Sequence, residues 1–516
     1  MHRFWEINEM VRLLATILNK QYDASASAVA LACCSKRLED IVLGSVWEKV
    51  VGLDQLMQCL PTDTWEIHDD EFVSTTCSSP LALGLTDQQT FLRCPANKEW
   101  IRFSSYARRI RVLWVVNDVL GDSGVSLAAF NVLSMHTPTL GHHPLPNLRS
   151  IYWEADSWGS TPFLRLFLNP ELVEVHIMFP GGGQHVYRSA IVSLVPTGNL
   201  THLRLEFMGD DDPSLGAVLH NLLDEASETL RSVTLDGELS ISVTDKLLQL
   251  PNLRYLDVQL PRARISPPAV VLPSLEKLDV SYGEAWSWHI LENIPNLVLQ
   301  KLVVIFTGSS PTYLQTLGSS LVNTNVERTL TSITCTSENI IPLTEAGIRP
   351  LLSFGRLTKL ELVASCTASQ CGVKLDDSII SELAVALPRL EHLGLGSTPC
   401  DASTSGVTIA SLVALSTNCV NLDYLRLHFN ANDIITRGTH KNSQAHKFTC
   451  KLRTLSVGFQ PLSPSHNDIF LITLTILHIF PHVENIFPAG GNWNQVVEGI
   501  RLFRKVPEII PLPAEN

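Results

Sequence analysis

Positive charge is scarce in this sequence. It carries 38 Lys and Arg against 51 Asp and Glu, a formal net charge of −13. Nucleic-acid binding rests on neutralising phosphates, so this balance argues against a general nucleic-acid binder. Paired cysteines are missing too. The 11 cysteines are odd in number and form no C-x-x-C pair; Cys33 and Cys34 are adjacent, and Cys366 and Cys371 have no matching His or Cys pair. That usage fits reduced thiols in a reducing compartment. Long apolar runs are also absent. The longest, residues 469–480, is too short and too rich in Thr to span a bilayer. Glu6, Asn8, Glu9 and Arg12 interrupt the first apolar residues, so no signal peptide is expected. The expectation is a soluble intracellular protein, cytoplasmic, nuclear or both, with no membrane partner.

Catalytic motifs are equally scarce. There is no H-E-x-x-H, and GGGQH (181–185) and GLGS (394–397) lack the strand and helix that frame a phosphate loop. The tetrapeptide GDSG at 121–124 surrounds Ser123, but no matching His motif precedes it, and all four residues favour turns. His142 and His143 have no third ligand at suitable spacing. The Asn-Leu-Thr sequon at 199–201 enters a repeat strand and is discounted in an intracellular protein. No catalytic residue, metal or cofactor is expected.

What is present is repetition. Hydrophobic residues make up 45% of the chain and charged ones 17%, a core-forming composition. At 516 residues it exceeds one ordinary domain, which leaves several domains or a repeat array. The phrase L-x-x-L-x-L, with other apolar residues allowed, begins at Leu148, Leu172, Leu200, Leu230, Leu253, Leu275 and Leu299. It recurs at Leu330, Leu357, Leu390, Leu422 and Leu452, with weaker copies at Ala107 and Val483. From Leu148 to Val483 the spacings run from 22 to 33 residues, near the roughly 20–29-residue period of leucine-rich repeats. The last two apolar positions are two apart, so in a strand they share a face. One such strand cannot bury its apolar face alone, and stacked copies build a continuous core. Between copies, residues 378–387 place Ile379, Ile380, Leu383, Ala384 and Leu387 at helical spacing.

This pattern resembles the leucine-rich-repeat family. The resemblance implies an α/β fold, a curved solenoid with a parallel sheet on its concave side. The family's Asn or Cys after the last Leu is mostly missing: Asn430 matches, Pro261 and Thr398 do not. Less regular turns are therefore expected. Outward positions of the strands carry Tyr152, Glu154, His202, Arg204, Glu206, Tyr255, Asp257, Lys277 and Asp279. Lys359, Glu361, His392, Tyr424, Arg426 and His428 follow. Tyr and Arg are favoured at interfaces, so Tyr152, Glu154, Arg204, Tyr255, Asp257, Tyr424 and Arg426 are the candidate target-binding set.

Residues 1–50 depart from the repeat. Met10, Leu13, Leu14, Ile17 and Leu18 fall on one face of a helix that Asn8 could cap. A polar loop follows from Asn19 to Ser27, then a second helical stretch over 28–47. The opening Ile7-x-Glu9-Met10, the run Leu13-Leu14-x-x-Ile17-Leu18, the segment Cys34-Ser35-Lys36-Arg37 and the close Leu43-x-x-x-Trp47 resemble an F-box. Asn8 stands where that module usually has Pro, and Leu38 where it often has Trp. With the repeats behind it, the layout is similar to that of fungal F-box proteins with degenerate leucine-rich repeats. The resemblance implies docking on a Skp1-type adaptor, and through it a cullin, by Ile7, Met10, Leu13, Leu14, Ile17, Leu18, Leu31, Leu38 and Trp47. It implies a non-catalytic substrate receptor of a ubiquitin ligase whose repeats hold an unidentified target protein. The expected division is an F-box over 1–50, a helical and loop linker over 51–105, with residues 69–90 as polar loop, and the solenoid with a C-terminal cap over 106–516. The alternative is a leucine-rich-repeat scaffold whose N-terminal helices only cap the solenoid.

Overall fold

The computed structural model describes residues 8–20, 25–68, 88–116, 124–125, 127–136, 143–154, 161–179, 184–194, 198–207, 215–260, 272–282, 297–306, 312–337, 343–363, 373–396, 406–431, 434, 449–457, 465–487 and 492–505. The motif at Ser123, the residues Ile7, His142, Pro261, Cys366, Cys371 and Thr398, and most of 69–90 lie outside them. The chain divides into two compact units, Met1–Leu247 and Leu248–Asn516.

Both units are α/β repeats of leucine-rich-repeat type. Among the described residues fifteen strands run parallel, six in the first unit and nine in the second. In the first unit Ser150–Glu154, Glu174–Phe179, His202–Phe207 and Ser232–Glu238 pair in sequence order. In the second, Tyr255–Gln259, Lys277–Tyr282, Lys301–Phe306 and Ser332–Ser337 do the same, and the succession continues to Asn485–Phe487. The register is the one the phrase demands. Leu256 lies opposite Leu278, Leu278 opposite Leu302, and Leu302 opposite Ile333. Each of the twelve leading leucines, from Leu148 to Leu452, is wholly buried. Parallel strands need a crossover, and helices such as Leu215–Glu225, Asp377–Ala386 and Ile409–Asn418 supply it.

A backbone device takes the place of the missing Asn ladder. In most repeats the carbonyl after the leading apolar residue accepts two N–H groups from the start of the next strand. Arg149 O takes Val173 N and Glu174 N; Val173 O takes Thr201 N and His202 N. The same fork recurs at Gln300, Thr331, Thr358, Glu391 and Asp423. Threonines reinforce it: the Thr201, Thr331 and Thr358 hydroxyls donate to Val173 O, Gln300 O and Thr331 O at 3.0–3.2 Å. Buried carbonyls are thereby satisfied without a recurring side chain.

That fork exposes two differences from the sequence expectations. Arg111 N and Val112 N donate to Glu48 O, and Lys49–Val51 pairs with Val112–Val116, Val50 opposite Leu113. Trp47 therefore occupies the leading position of an unforeseen repeat, and the parallel strands begin well before residue 106. The weak copy at Ala107 is displaced by three residues. Ile110 leads, and Leu113, opposite Ile151, is the buried strand residue. Within the stretch expected as loop, Gln88–Phe91 is a strand antiparallel to Trp65–His68.

The N-terminal segment forms three helices, α1 (Asn8–Lys20), α2 (Ser25–Cys33) and α3 (Lys36–Val46). The helical stretch expected over 28–47 is broken at Cys34–Ser35, where the Ser35 hydroxyl accepts from Arg37 N and caps α3. Their core is small: Val11, Ala15, Ala28, Ala32, Leu38 and Val42, with Leu18, Leu31, Ile41, Leu43 and Val46 packed on it. Residues 469–479 fall in the helix His466–Ile479, with Phe480 as its C-cap, and Ile469, Ile472 and Ile476 are buried in the second unit. Among the described residues no helix is long and apolar enough to cross a membrane.

Candidate functional site

Two surfaces carry the candidate residues: one face of α1 and the outer face of the strands. On α1 the sequence holds two overlapping stripes, and the fold uses the lesser one inward. Val11 and Ala15 are fully buried against α2 and α3. Met10, Leu13 and Ile17 point the other way and are 38%, 54% and 48% exposed. Leu14, Leu18, Leu31 and Trp47 are half-buried, and Leu38 belongs to the helical core. Trp47 also packs at a tilt against Tyr106, at 4.7 Å between ring centroids, from the helix Trp100–Ala107. Asp40 of α3 accepts a hydrogen bond from Arg109 at 2.7 Å. The three helices are thus anchored to the first repeats while three large apolar side chains of α1 face outward.

On the strand face of the first unit an aromatic row crosses neighbouring strands. Trp114, Tyr152 and His176 occupy one register row, with centroids 4.7 and 5.7 Å apart. Lys49 Nζ sits 3.7 Å from the Trp114 ring centroid, a cation–π contact. The Tyr152 hydroxyl donates to Glu174 at 2.7 Å, and burial together with that carboxylate pushes its pKa up to about 12. Arg204 Nε donates to Glu206 at 2.5 Å, and His176 Nε2 lies 3.2 Å from the same carboxylate. Burial, then the Arg204 charge, holds the His176 pKa below its ordinary value.

In the second unit the Tyr255 hydroxyl donates to Asp279 at 2.9 Å and Asp257 at 3.1 Å. Lys277 lies 4.3 Å over the Tyr255 ring and 2.7 Å from Asp279. Further along, Arg426 reaches past the intervening strand to Glu361 at 2.8 Å. Gly394 makes that possible, since a Cβ there would lie 3.2 Å from Arg426 Nη2 and 3.3 Å from Glu361 Cγ. His392, Lys359 and the Arg426 charge hold the Glu361 carboxyl down at about 2, against the cost of burying it. His392 stacks on Tyr424 at 4.1 Å. Three buried polar atoms, Asp279 Oδ1, His392 Nε2 and Arg426 Nε, find no hydrogen-bond partner among the described residues.

Of the seven candidate target residues, Tyr152, Glu154 and Arg204 lie on the first unit's strand face. Tyr255, Asp257, Tyr424 and Arg426 lie on the second unit's. His428 is a correction. It was expected to face outward but is buried, because its strand ends at Leu427 and the chain turns there, bringing Asn430 N to Val407 O. Sequence reasoning missed Trp114, hidden by the displaced register at Ala107, and Gly394, which has no side chain to draw attention. Among the described residues no group of His, Cys, Asp and Glu is placed to hold a metal ion.

The fold therefore defines an α/β leucine-rich-repeat protein with an N-terminal helical segment. No family model matches the chain, and no curated protein matches it. It is similar to a chain of a solved structure described as "Crystal structure of Rad7 and Elc1 complex in yeast", with 15% identity over 76% of this chain and 89% of that one, and a TM-score of 0.33.

Proposed function

We propose that this chain is a non-catalytic substrate receptor: α1 docks on a Skp1-type adaptor, itself joined to a cullin, and the strand face holds a target protein for ubiquitin transfer by other subunits. One observation carries the proposal. Met10, Leu13 and Ile17 form an outward apolar stripe on a helix whose opposite face already closes its own core. Such a stripe needs a partner, and it falls within the F-box-like sequence. Each of these side chains is already about half covered, so covering the rest is worth roughly half of the full-burial value, about 1 kcal/mol each. The gain in function is proximity, since holding target and ubiquitin carrier together raises their effective concentration.

The test is co-purification of the full chain with a Skp1-type adaptor. Leu13→Asp/Ile17→Asp should abolish capture while thermal melting stays at the wild-type midpoint, because both side chains are exposed. Capture at wild-type strength would end the proposal. A second reading, a binding scaffold with the helices as a cap, is favoured by the Trp47–Tyr106 and Asp40–Arg109 contacts, and would then stand.

A further inference from the structure

Away from both surfaces, the first unit contains a cleft of about 370 Å³ where α1 and α3 meet the start of the repeats. Its charged lining is Arg12, Arg108, Arg109 and Arg111 against Asp40 and Glu48, a balance of +2. This is an unusual gathering in a chain whose net charge is −13. Asp40 is taken by Arg109. Among the described residues Arg12, Arg108 and Arg111 make no ion pair. Like charges brought together repel, and the repulsion is relieved when an anion sits between them.

We infer that this cleft is a binding site for a phosphate monoester. The charge matches, since the dianion neutralises the surplus of two. The donors match, because planar guanidinium forks pair two-to-two with phosphate oxygens. The cleft shares Arg108 and Arg109 with a second hollow of about 660 Å³, lined also by Asn97, Ile101 and Ser104, which would take the organic arm of the ester. The inference does not rest on adaptor docking.

The experiment is calorimetric titration of the full chain with inorganic phosphate, a phosphoserine peptide and the same peptide unphosphorylated. A phosphate-bearing probe is expected to bind and the unphosphorylated peptide not. Tighter binding of the phosphopeptide supports the inference, and tighter binding of inorganic phosphate would assign the cleft to a free anion and overturn the monoester. Arg12→Ala/Arg111→Ala should weaken binding roughly tenfold or more, about 1.4 kcal/mol per factor of ten, with unchanged melting. Should that variant melt early, Glu48→Gln provides the complementary test, because it raises the surplus without removing a guanidinium and should tighten binding. No phosphate binding by the wild type, equal binding of the unphosphorylated peptide, a folded double-arginine variant that binds as wild type, or weaker binding by Glu48→Gln would each overturn it.

Discussion

Replacing Glu361 with Gln tests the strand-face electrostatics at their most concentrated point. Glu361 lies 2.8 Å from both Lys359 and Arg426 and 3.7 Å from His392. Its pKa falls from 4.5 to about 2, which at roughly 1.4 kcal/mol per unit sets a ceiling near 3 kcal/mol. The Arg426 and Glu361 side chains are only 12% and 18% exposed, so screening removes part of this and not all. Loss of about 1–3 kcal/mol is expected at neutral pH, partly because Arg426 is left buried without its partner. The folded pKa lies below the unfolded one, so the contribution is complete above about pH 5 and disappears as pH falls toward about 2. Urea denaturation followed from neutral to acidic pH reads both effects. The gap between wild type and Glu361→Gln should be widest at neutral pH and close as the solution is acidified. A gap that stays constant with pH would show that the Glu361 charge does not contribute and refute the account.

Leu256→Ala should cost about 2–5 kcal/mol, since Leu256 is buried opposite Leu278. Tyr255→Ala should cost about 1 kcal/mol, more than an outward residue with no partners, because its hydroxyl serves Asp279 and Lys277 lies on its ring; equal losses in denaturation would mean the register is mistaken. Thiol alkylation mapped by mass spectrometry should label Cys33 and Cys34 rapidly. Cys419 and Cys450, buried and raised to about 12 and 11, should label only on unfolding.

The strands were legible because each needs three apolar residues at fixed spacing, and no other periodicity accounts for Leu253, Leu256 and Val258 together with Leu275, Leu278 and Val280. Register failed where two phrases overlap: residues 107–115 satisfy the pattern from Ala107 and from Ile110, and only pairing with Ile151 decides between them. The first repeat escaped notice because Trp47 leads it and Gly52 ends it. On α1, Val11, Leu14, Ala15 and Leu18 form as good a helical stripe as Met10, Leu13, Leu14, Ile17 and Leu18. The alanines Ala15, Ala28 and Ala32 let the helices pack closely, so the smaller stripe goes inward and the larger one is left outside. The arginine cleft was invisible because Arg12 and Arg108 are far apart in sequence and meet only in the fold.

The most direct measurement is amide hydrogen exchange of the full chain with and without a saturating Skp1-type adaptor. Protection concentrated on α1, Asn8–Lys20, with the strands from Tyr255 to Leu427 unchanged, is the result expected if the outward stripe of Met10, Leu13 and Ile17 is the docking face. Exchange in α1 that is indifferent to the adaptor, or protection on the strand face instead, would contradict it.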